Sequence, residues 1–314
     1  MTKRTEMIMP IGYDPGRWAG HTPYTDPGRY ADLLQAVPPD LDQLSAVARN
    51  LIIHYRASGQ ELPEATRSDI NARWLDAILD LDQQRHPRDL AAVREPLSRV
   101  QGCCRDHSLF AAAVLRQHGQ PARVRYGFAG YFAPGFHVDH VVVEQWQPAE
   151  HRWLRFDPEL EEPWEAMPTP HDIPPGPGQP YETAAEAWSA YRNGTIDPDT
   201  YGVGTDVPVR GPWFMQCAVL IDAAFRAGSE LLLWDGWGAM SDPDGPTERE
   251  VEIADQLSEL IMAADAGDVA AEQRLISRMQ ADPTVAPPES VLTISPWGDP
   301  PQQTDLTRSA AVGS

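Results

Sequence analysis

The segment Gln101–Arg116 constrains the fold more than any other part of the sequence, because it places a thiol at the start of an apolar helix. Its apolar residues recur at helical spacing, which predicts a buried helix over about residues 104–117 that ends near Gly119. Cys104 lies in the first turn, where the helix dipole and free N–H groups favour the thiolate over the thiol. The pattern therefore predicts a cysteine nucleophile at neutral pH.

Three short runs after this helix are typical of β-strands, at Ala122–Phe128, Val138–Trp146 and Arg152–Phe156. Val141–Val143 interrupts the alternation of apolar and polar residues, which indicates a strand buried on both faces. A helix that precedes an antiparallel sheet in this way predicts an α+β fold.

Helical spacing recurs on both sides of this centre. We interpret residues 27–282 as one domain, with its core at about 95–165 and a helical extension at about 181–282. Residues 1–26 and 283–314 have proline-rich composition without periodicity, which predicts a disordered arm and tail. The predicted helices are a short one that includes Tyr30, Leu33 and Leu34, then Leu41–Tyr55, Ser68–Gln84, Glu182–Asn193, Trp213–Ala227, Glu248–Ala264 and Val269–Met279.

The charge balance excludes several classes of partner. The 314-residue chain has 46 acidic and 25 basic residues and a net charge of -21. This charge repels phosphate backbones and anionic lipids, so we expect neither nucleic acid nor a membrane as a partner. No apolar run approaches the ~20 residues that span a bilayer, and residues 1–10 do not resemble a secretory signal. Three cysteines form no disulfide framework, which favours a reducing compartment and hence the cytoplasm.

A cysteine nucleophile needs a base that takes its proton and an acceptor that orients the base. His140 lies near the start of the second predicted strand, and Asp157 follows the third. Adjacent antiparallel strands joined by a short turn bring the early part of one beside the late part of the other. His140 and Asp157 are therefore predicted to be neighbours, and a helix packed on that sheet face would carry Cys104 over His140.

These residues resemble the three signatures of the transglutaminase-like superfamily. The resemblance covers about 57 residues and implies a papain-like core, in which Cys104, His140 and Asp157 match the nucleophile, the base and the orienting acid. The aromatic residue that often follows the family histidine is replaced here by Val141 and Val142. The stretch Trp234–Met240 also looks like a bacterial subgroup of such proteins. The matching segments are Gly102–Asp106, Pro121–Val124 with Tyr126 and Gly127, His140 with Glu144, Arg152 with Trp153, and Phe156–Pro158.

Two alternatives for the thiol chemistry are weaker. Cys103 is a second candidate nucleophile, but Cys104 is the cysteine that Arg-Asp follows in the family pattern, and adjacent residues at a helix start point in different directions. A metal site that uses the cysteines with His137 and His140 lacks the Cys-x-x-Cys spacing of zinc sites. We therefore predict neither a metal nor a cofactor.

Several further residues carry subsidiary expectations. His107 and His137 are interpreted as polar groups outside the reaction, and Cys217 as a small buried hydrophobe. The backbone N–H of Cys104 is the expected donor to an oxyanion, with Gln101 as a candidate second donor. The glycine- and tryptophan-rich segment 231–240 is interpreted as a packed loop rather than as a wall of a substrate cleft.

The predicted function is cysteine-dependent acyl transfer or hydrolysis on an amide or thioester, through an acyl-enzyme on Cys104. The acyl substrate would be a small molecule, a peptide or a carrier-bound chain. One alternative is cyclising release of a carrier-bound acyl chain, with an acidic carrier docked on a basic patch. Another, of a different class, is a non-catalytic interaction module that retains the fold. The arginines proposed for the patch are equally explained as solvated strand ends, and they are Arg105, Arg123, Arg125, Arg152 and Arg155.

Overall fold

A five-stranded sheet lies at the centre of the protein in a computed structural model, which describes residues 9–10, 13–161, 163 and 166–307. Helices cover the sheet, so the fold is α+β as predicted. The helices are α1 Ala31–Gln35, α2 Leu41–Leu51, α3 Leu75–Arg85, α4 Cys104–Gln117, α5 Ala184–Arg192, α6 Pro212–Arg226, α7 Glu248–Asp265 and α8 Val269–Ala281. The strands are β1 Ile52–His54, β2 Val100–Gly102, β3 Ala122–Ala133, β4 Phe136–Gln147, β5 Arg152–Phe156, β6 Tyr181–Thr183, β7 Tyr201–Gly202, β8 Asp235–Gly236, β9 Ser290–Thr293 and β10 Gln302–Asp305.

The central sheet has the strand order β5-β4-β3-β6, and β7 pairs with the start of β4. Strand β4 is antiparallel to both β3 and β5. Strands β3 and β4 extend further toward their connecting turn than the sequence predicts. Val141–Val143 is fully buried, which confirms a strand covered on both faces.

Helix α4 begins and ends where the sequence predicts, and it crosses the main core of the protein. It packs with Val141 and Val143, whereas Val142 belongs to a separate apolar cluster on the other face of the sheet. Because side chains alternate along a strand, the side chain of His140 lies on the same sheet face as that of Val142. The expectation that the body of α4 lies on the His140 face is therefore wrong. Cys104 lies at the N-terminal end of this helix.

Two predicted helices are broken where the chain makes long-range contacts. The helix predicted over Leu41–Tyr55 ends at Leu51, and the next three residues form β1, which pairs in parallel with β2. The helix predicted over Ser68–Gln84 is divided into a 3-10 helix, Glu64–Asn71, and α3. Arg73 lies at the break and forms a buried ion pair with Asp235, at 2.7 Å. Helical periodicity did not reveal these tertiary partners.

The two segments predicted to be disordered contain ordered structure. In the N-terminal arm, Trp18 and Tyr24 are buried. In the tail, β9 pairs with β8 and β10, and Val285 and Val291 are buried. Residues 1–8, 11–12 and 308–314 lie outside the described residues. Helices α6, α7 and α8 begin and end within two residues of their predicted bounds, and α5 begins two residues late because β6 precedes it.

The arginines proposed as a basic surface patch are buried, with exposed fractions between 0% and 9%. Arg125, for example, forms ion pairs with three acidic side chains: Asp222 at 2.9 Å, Asp265 at 3.0 Å and Glu144 at 3.1 Å. Arg123 pairs with the last two of these carboxylates. The proposed patch is therefore wrong, because these arginines neutralise acidic residues inside the fold.

Replacing Arg125 by Met is expected to lower the free energy of unfolding by about 3–5 kcal/mol, because it leaves three carboxylates buried beside too few cations. The matched control is Arg192→Met, which removes an ion pair to Asp255 whose side chains are 43% and 36% exposed. That loss should be about 1 kcal/mol or less. Urea unfolding midpoints would measure both, and equal losses would contradict the structural role of Arg125.

Candidate active site

The start of α4 is fixed by the two residues that follow Cys104. The Asp106 carboxylate accepts a hydrogen bond from the backbone N–H of Cys103, at 2.8 Å, and so caps the helix. The buried Arg105 guanidinium pairs with Asp106 at 2.9 Å. A Cβ atom on Gly102 would lie 2.8 Å from the Asp106 carboxylate, so this approach requires glycine. The Gly-Cys-Cys-Arg-Asp sequence thus places Cys104 at the first helical position.

His140 and Asp157 are neighbours, as predicted. Val143 pairs with Phe156 across the antiparallel strands β4 and β5, so the next residue of the chain, Asp157, lies beside Val142. His140 shares its sheet face with Val142, and therefore with Asp157. Nε2 of His140 lies 2.7 Å from Oδ2 of Asp157. Because a carboxylate accepts hydrogen bonds, Nε2 donates and Nδ1 keeps the lone pair. The ring is therefore oriented with Nδ1 as its proton acceptor.

Two further groups hold the Asp157 carboxylate. The Tyr131 hydroxyl donates to Oδ2 at 2.7 Å, and the backbone N–H of Glu159 donates to Oδ1 at 3.0 Å. Burial raises the pKa of Asp157, but the charge of His140 and these hydrogen bonds lower it more, and the net pKa is below its ordinary value. Asp157 is therefore an ionised, fixed partner for the imidazole at neutral pH.

Cys104 is directed toward the strand that carries His140. Ser108 lies one turn further along α4, on the same face as Cys104. Its hydroxyl donates to the backbone carbonyl of Val141, the residue after His140, at 2.9 Å. The negative charges of Glu159 and Asp139 also act on both the Cys104 thiol and the His140 ring. Among the described residues, no hydrogen bond joins the sulfur to that ring.

Opposing effects set the proton affinity of His140. Burial lowers the pKa of its ring, but the charge and hydrogen bond of Asp157, together with the charges of Glu159 and Asp139, raise it. The net pKa lies above the ordinary value of 6.5. The surrounding carboxylates therefore stabilise the imidazolium that would form if His140 took a proton from a thiol.

The Cys104 thiol does not behave as its place at a helix start predicts. A hydrogen bond with the Cys103 thiol, burial and nearby negative charges raise the pKa of Cys104 well above its ordinary value. The expected lowering of its pKa by the helix start is therefore wrong. Cys104 is only 5% exposed, and at neutral pH it is a thiol that becomes a nucleophile only when a base removes its proton.

The other candidate side chains have local partners. Nδ1 of His107 donates to the Cys103 carbonyl at 2.9 Å, and the His137 ring stacks on Tyr201 with centroids 4.2 Å apart. Cys217 contacts a backbone carbonyl of Ser241 at 3.5 Å, and burial raises its pKa to about 12. None of these contacts involves Cys104 or His140.

Gln101 is not available as a second oxyanion donor. Its side-chain Nε2 donates to the Pro63 carbonyl and to Oγ1 of Thr66, both at 2.8 Å. These bonds occupy both amide hydrogens. The candidate second donor named from the sequence is therefore wrong, because Gln101 anchors a neighbouring segment instead.

The tryptophan-rich segment has a mixed role. Trp237 is buried, and its indole N–H donates to the Val285 carbonyl at 2.8 Å, so it anchors the folded tail. The Trp234 ring lies 6.1 Å from the ring of Tyr55. Burial raises the pKa of Tyr55, and a thiolate at Cys103 or Cys104 would raise it further, which indicates that the Tyr55 ring lies near both thiols. The segment is thus a packed loop with one aromatic residue close to the candidate site.

Sequence reasoning missed three residues of this region. Tyr131, whose hydroxyl donates to Asp157, lies between Ala129 and Ala133, where the pairing of β3 with β4 is irregular. No local sequence pattern reveals this irregularity. His54 falls within the helix predicted over Leu41–Tyr55, whereas in the structure it is the last residue of strand β1. Glu159 follows Asp157 by two residues, and that proximity was the one available signal.

The described part of the chain contains neither a cluster of metal-ligating side chains nor a helix that could span a membrane. No group of three or more His, Cys, Asp and Glu side chains there is arranged to hold a metal ion. No helix there is both long and apolar enough to cross a membrane.

Comparison with known proteins identifies the part of the chain that contains the site. Residues 44–158 match the family model of the transglutaminase-like superfamily. None of the curated proteins matches the chain. A solved structure of a candidate cysteine protease from Cytophaga hutchinsonii is 15% identical, with 50% of this chain and 47% of that chain covered and a TM-score of 0.32. The match thus spans about half the length of that protein.

Replacing Asp157 by Asn is expected to lower the pKa of His140, because it removes the largest of the effects that favour the imidazolium and leaves burial to oppose it. Only neutral His140 accepts a proton, so the acid limb of any Cys104-dependent reaction should move to lower pH. An NMR titration of the His140 ring would measure this shift. Tyr131→Phe, which keeps the Asp157 charge, should give a smaller one, and an unshifted ring in Asp157→Asn would contradict the assignment.

Proposed function

Because the chain contains a transglutaminase-like core over residues 44–158, we propose that it is a cysteine-dependent acyl transferase or hydrolase with Cys104 as its nucleophile. The match supports a cysteine-dependent enzyme at the level of the superfamily. His140 is the proposed general base and acid, and Asp157 the residue that orients it. The observation that carries the proposal is the 2.7 Å bond from Nε2 of His140 to Asp157, because it leaves Nδ1 free to take a thiol proton.

The proposed reaction proceeds in two halves. Nδ1 of His140 takes the proton of Cys104 as the sulfur bonds to the carbonyl carbon of an amide or thioester, and the carbonyl electron pair moves to oxygen. When the oxyanion collapses, the bond to the amine or thiol breaks, and the leaving group takes the proton from His140. Water or an amine then attacks the thioester by the reverse sequence, and Cys104 regains its proton.

The raised pKa of Cys104 supports this order of events. A thiol that stays protonated in the resting protein does not react until a base takes its proton. His140, whose pKa is raised by the surrounding carboxylates, is suited to holding that proton until a leaving group needs it. The two shifts together favour proton transfer during attack rather than a permanent ion pair.

The surface beside His140 suits an acyl group with an apolar part. Phe132 is 42% exposed, and its ring centroid lies 4.9 Å from that of His140. An exposed aromatic ring at this place offers a contact for an acyl chain or an apolar side chain. We propose a small molecule, a peptide or a carrier-bound chain as the acyl donor.

Cyclising release of a carrier-bound chain has no specific support, because the arginines invoked for docking a carrier are buried. Any carrier would have to dock elsewhere. A non-catalytic module that retains the fold is tested by the thiol itself, since such a module has no need for a reactive Cys104.

Incubation with p-nitrophenyl acetate is expected to release p-nitrophenol in a burst and to add one acetyl group to Cys104, because an acyl-enzyme forms faster than it is hydrolysed. Mass spectrometry of the digested protein would locate the adduct. His140→Ala should slow the burst by about 10²–10⁴-fold, the usual contribution of a general acid–base group. Iodoacetamide labelling of Cys104 at neutral pH gives an independent measure of thiol reactivity.

The matched control is Cys103→Ala, which keeps the proposed nucleophile and should retain the adduct, whereas Cys104→Ala should lose it. An adduct on Cys103 would refute the assignment of the nucleophile. If p-nitrophenyl acetate left no acetyl group on Cys104 of the wild-type protein, the non-catalytic module would be the better description.

A further inference from the structure

The proposed reaction develops negative charge on a carbonyl oxygen, and one donor for it is already in place. The backbone N–H of Cys104 belongs to the first residue of α4, so it has no partner within the helix. It also makes no hydrogen bond to any other described residue. A single donor is seldom sufficient, since removal of one oxyanion-hole donor typically costs ~10²–10³-fold in rate. The second donor must come from a neighbouring element.

His54 lies beside the segment that leads into α4, close enough in the fold to be a candidate for this second donor. It is the last residue of β1 and the register partner of Gly102, two residues before Cys104. The next backbone N–H, of Tyr55, donates to the Gly102 carbonyl at 2.8 Å, which holds the two segments together. The end of β1 therefore runs beside the chain as it enters α4.

The His54 side chain lies on the face of this two-stranded ribbon where α4 begins. Register partners on adjacent strands project to the same face. A Cβ on Gly102 would lie 2.8 Å from the carboxylate of Asp106, in the first turn of α4, so this face is turned toward the helix start. His54 therefore projects toward the region that contains Cys104.

The hydrogen bonds of His54 fix which ring nitrogen carries the proton. Nδ1 accepts the backbone N–H of Arg56 at 3.1 Å and that of Ala57 at 2.9 Å. An imidazole nitrogen that accepts two N–H groups has no proton of its own, so the proton of the neutral ring is on Nε2. Nε2 makes no hydrogen bond to another described residue. The ring is further held by stacking on Tyr55, at 12° and 5.5 Å between centroids.

The surroundings of His54 keep its ring neutral. Burial lowers the pKa of His54, and the positive charges of His107, His140 and Arg56 lower it further, whereas Glu159 raises it. The net shift is downward. A neutral ring with its proton on Nε2 is a donor and not a base, so it does not compete with His140 for the thiol proton.

We propose that the Nε2–H of His54 and the backbone N–H of Cys104 together hydrogen-bond the carbonyl oxygen of the acyl substrate. This inference rests on the acyl transfer proposed above. As the sulfur–carbon bond forms and the carbonyl electron pair moves to oxygen, both hydrogen bonds strengthen. When the leaving group departs, the electron pair returns to the carbonyl and His54 keeps its proton throughout.

The test compares two reactions of Cys104 in the full-length protein. Acylation by p-nitrophenyl acetate passes through an oxyanion, whereas alkylation by iodoacetamide does not. His54→Asn keeps an oxygen near the position of Nδ1 for the two backbone N–H groups but has no donor at the position of Nε2. It should slow acylation by roughly 10²–10³-fold and leave alkylation about unchanged.

Two further variants make the comparison specific. His54→Gln, whose amide nitrogen reaches the position of Nε2, should recover part of the acylation rate. His118→Asn makes the same substitution at the far end of α4, about 20 Å from Cys104, and should change neither rate.

Each outcome of this comparison has a defined meaning. Equal acylation by the wild-type protein and His54→Asn would overturn the role of His54 and leave the proposed function intact. A parallel loss of both rates in His54→Asn would also overturn it, because His54 would then act on the thiol or on the fold. No acyl adduct on Cys104 of the wild-type protein would overturn the proposed function and this inference together.

Discussion

The buried guanidinium of Arg105 is the interaction on which the candidate site depends most. It pairs with Asp106 and also donates to the backbone carbonyls of Arg73 and Glu230, so it ties the first turn of α4 to two distant parts of the chain. Removing such a buried donor would leave its polar partners unpaired, which costs more than the bond itself contributes. The position of Cys104 is therefore set by its neighbour in sequence and by the surrounding fold.

Carboxylates near Cys104 raise the pKa values of both its thiol and the His140 ring. Asp157, Glu159 and Asp139 favour the charged form of His140, while Glu159 and Asp139 disfavour a thiolate at Cys104. One set of charges thus keeps the proposed nucleophile protonated and stabilises the protonated form of the proposed base. This arrangement suits a reaction in which the proton moves only when a carbonyl carbon is within reach of the sulfur.

The pairing of buried charges also explains why the arginines proposed as a basic surface patch lie inside the fold. Arg123, Arg125 and Arg155 occur at alternate positions on strands, which is compatible with exposed strand ends. In the structure all three share the buried Glu144 carboxylate, and Arg123 and Arg125 also share Asp265 on α7. Burial of one ionised group requires a partner of opposite charge. Which residues become partners depends on the packing of helices far away in the sequence.

Local sequence patterns are sufficient to predict helix α4 with Cys104 at its start, the three strands that follow, and the pairing of His140 with Asp157. These features are local, since periodicity records burial and a short turn sets the register of two strands. Long-range packing, in contrast, makes Ile52–His54 a strand, raises the pKa of Cys104 and places Tyr131 where it supports Asp157. Those outcomes depend on hydrogen-bond partners, charges and burial contributed by distant segments, which no local pattern contains.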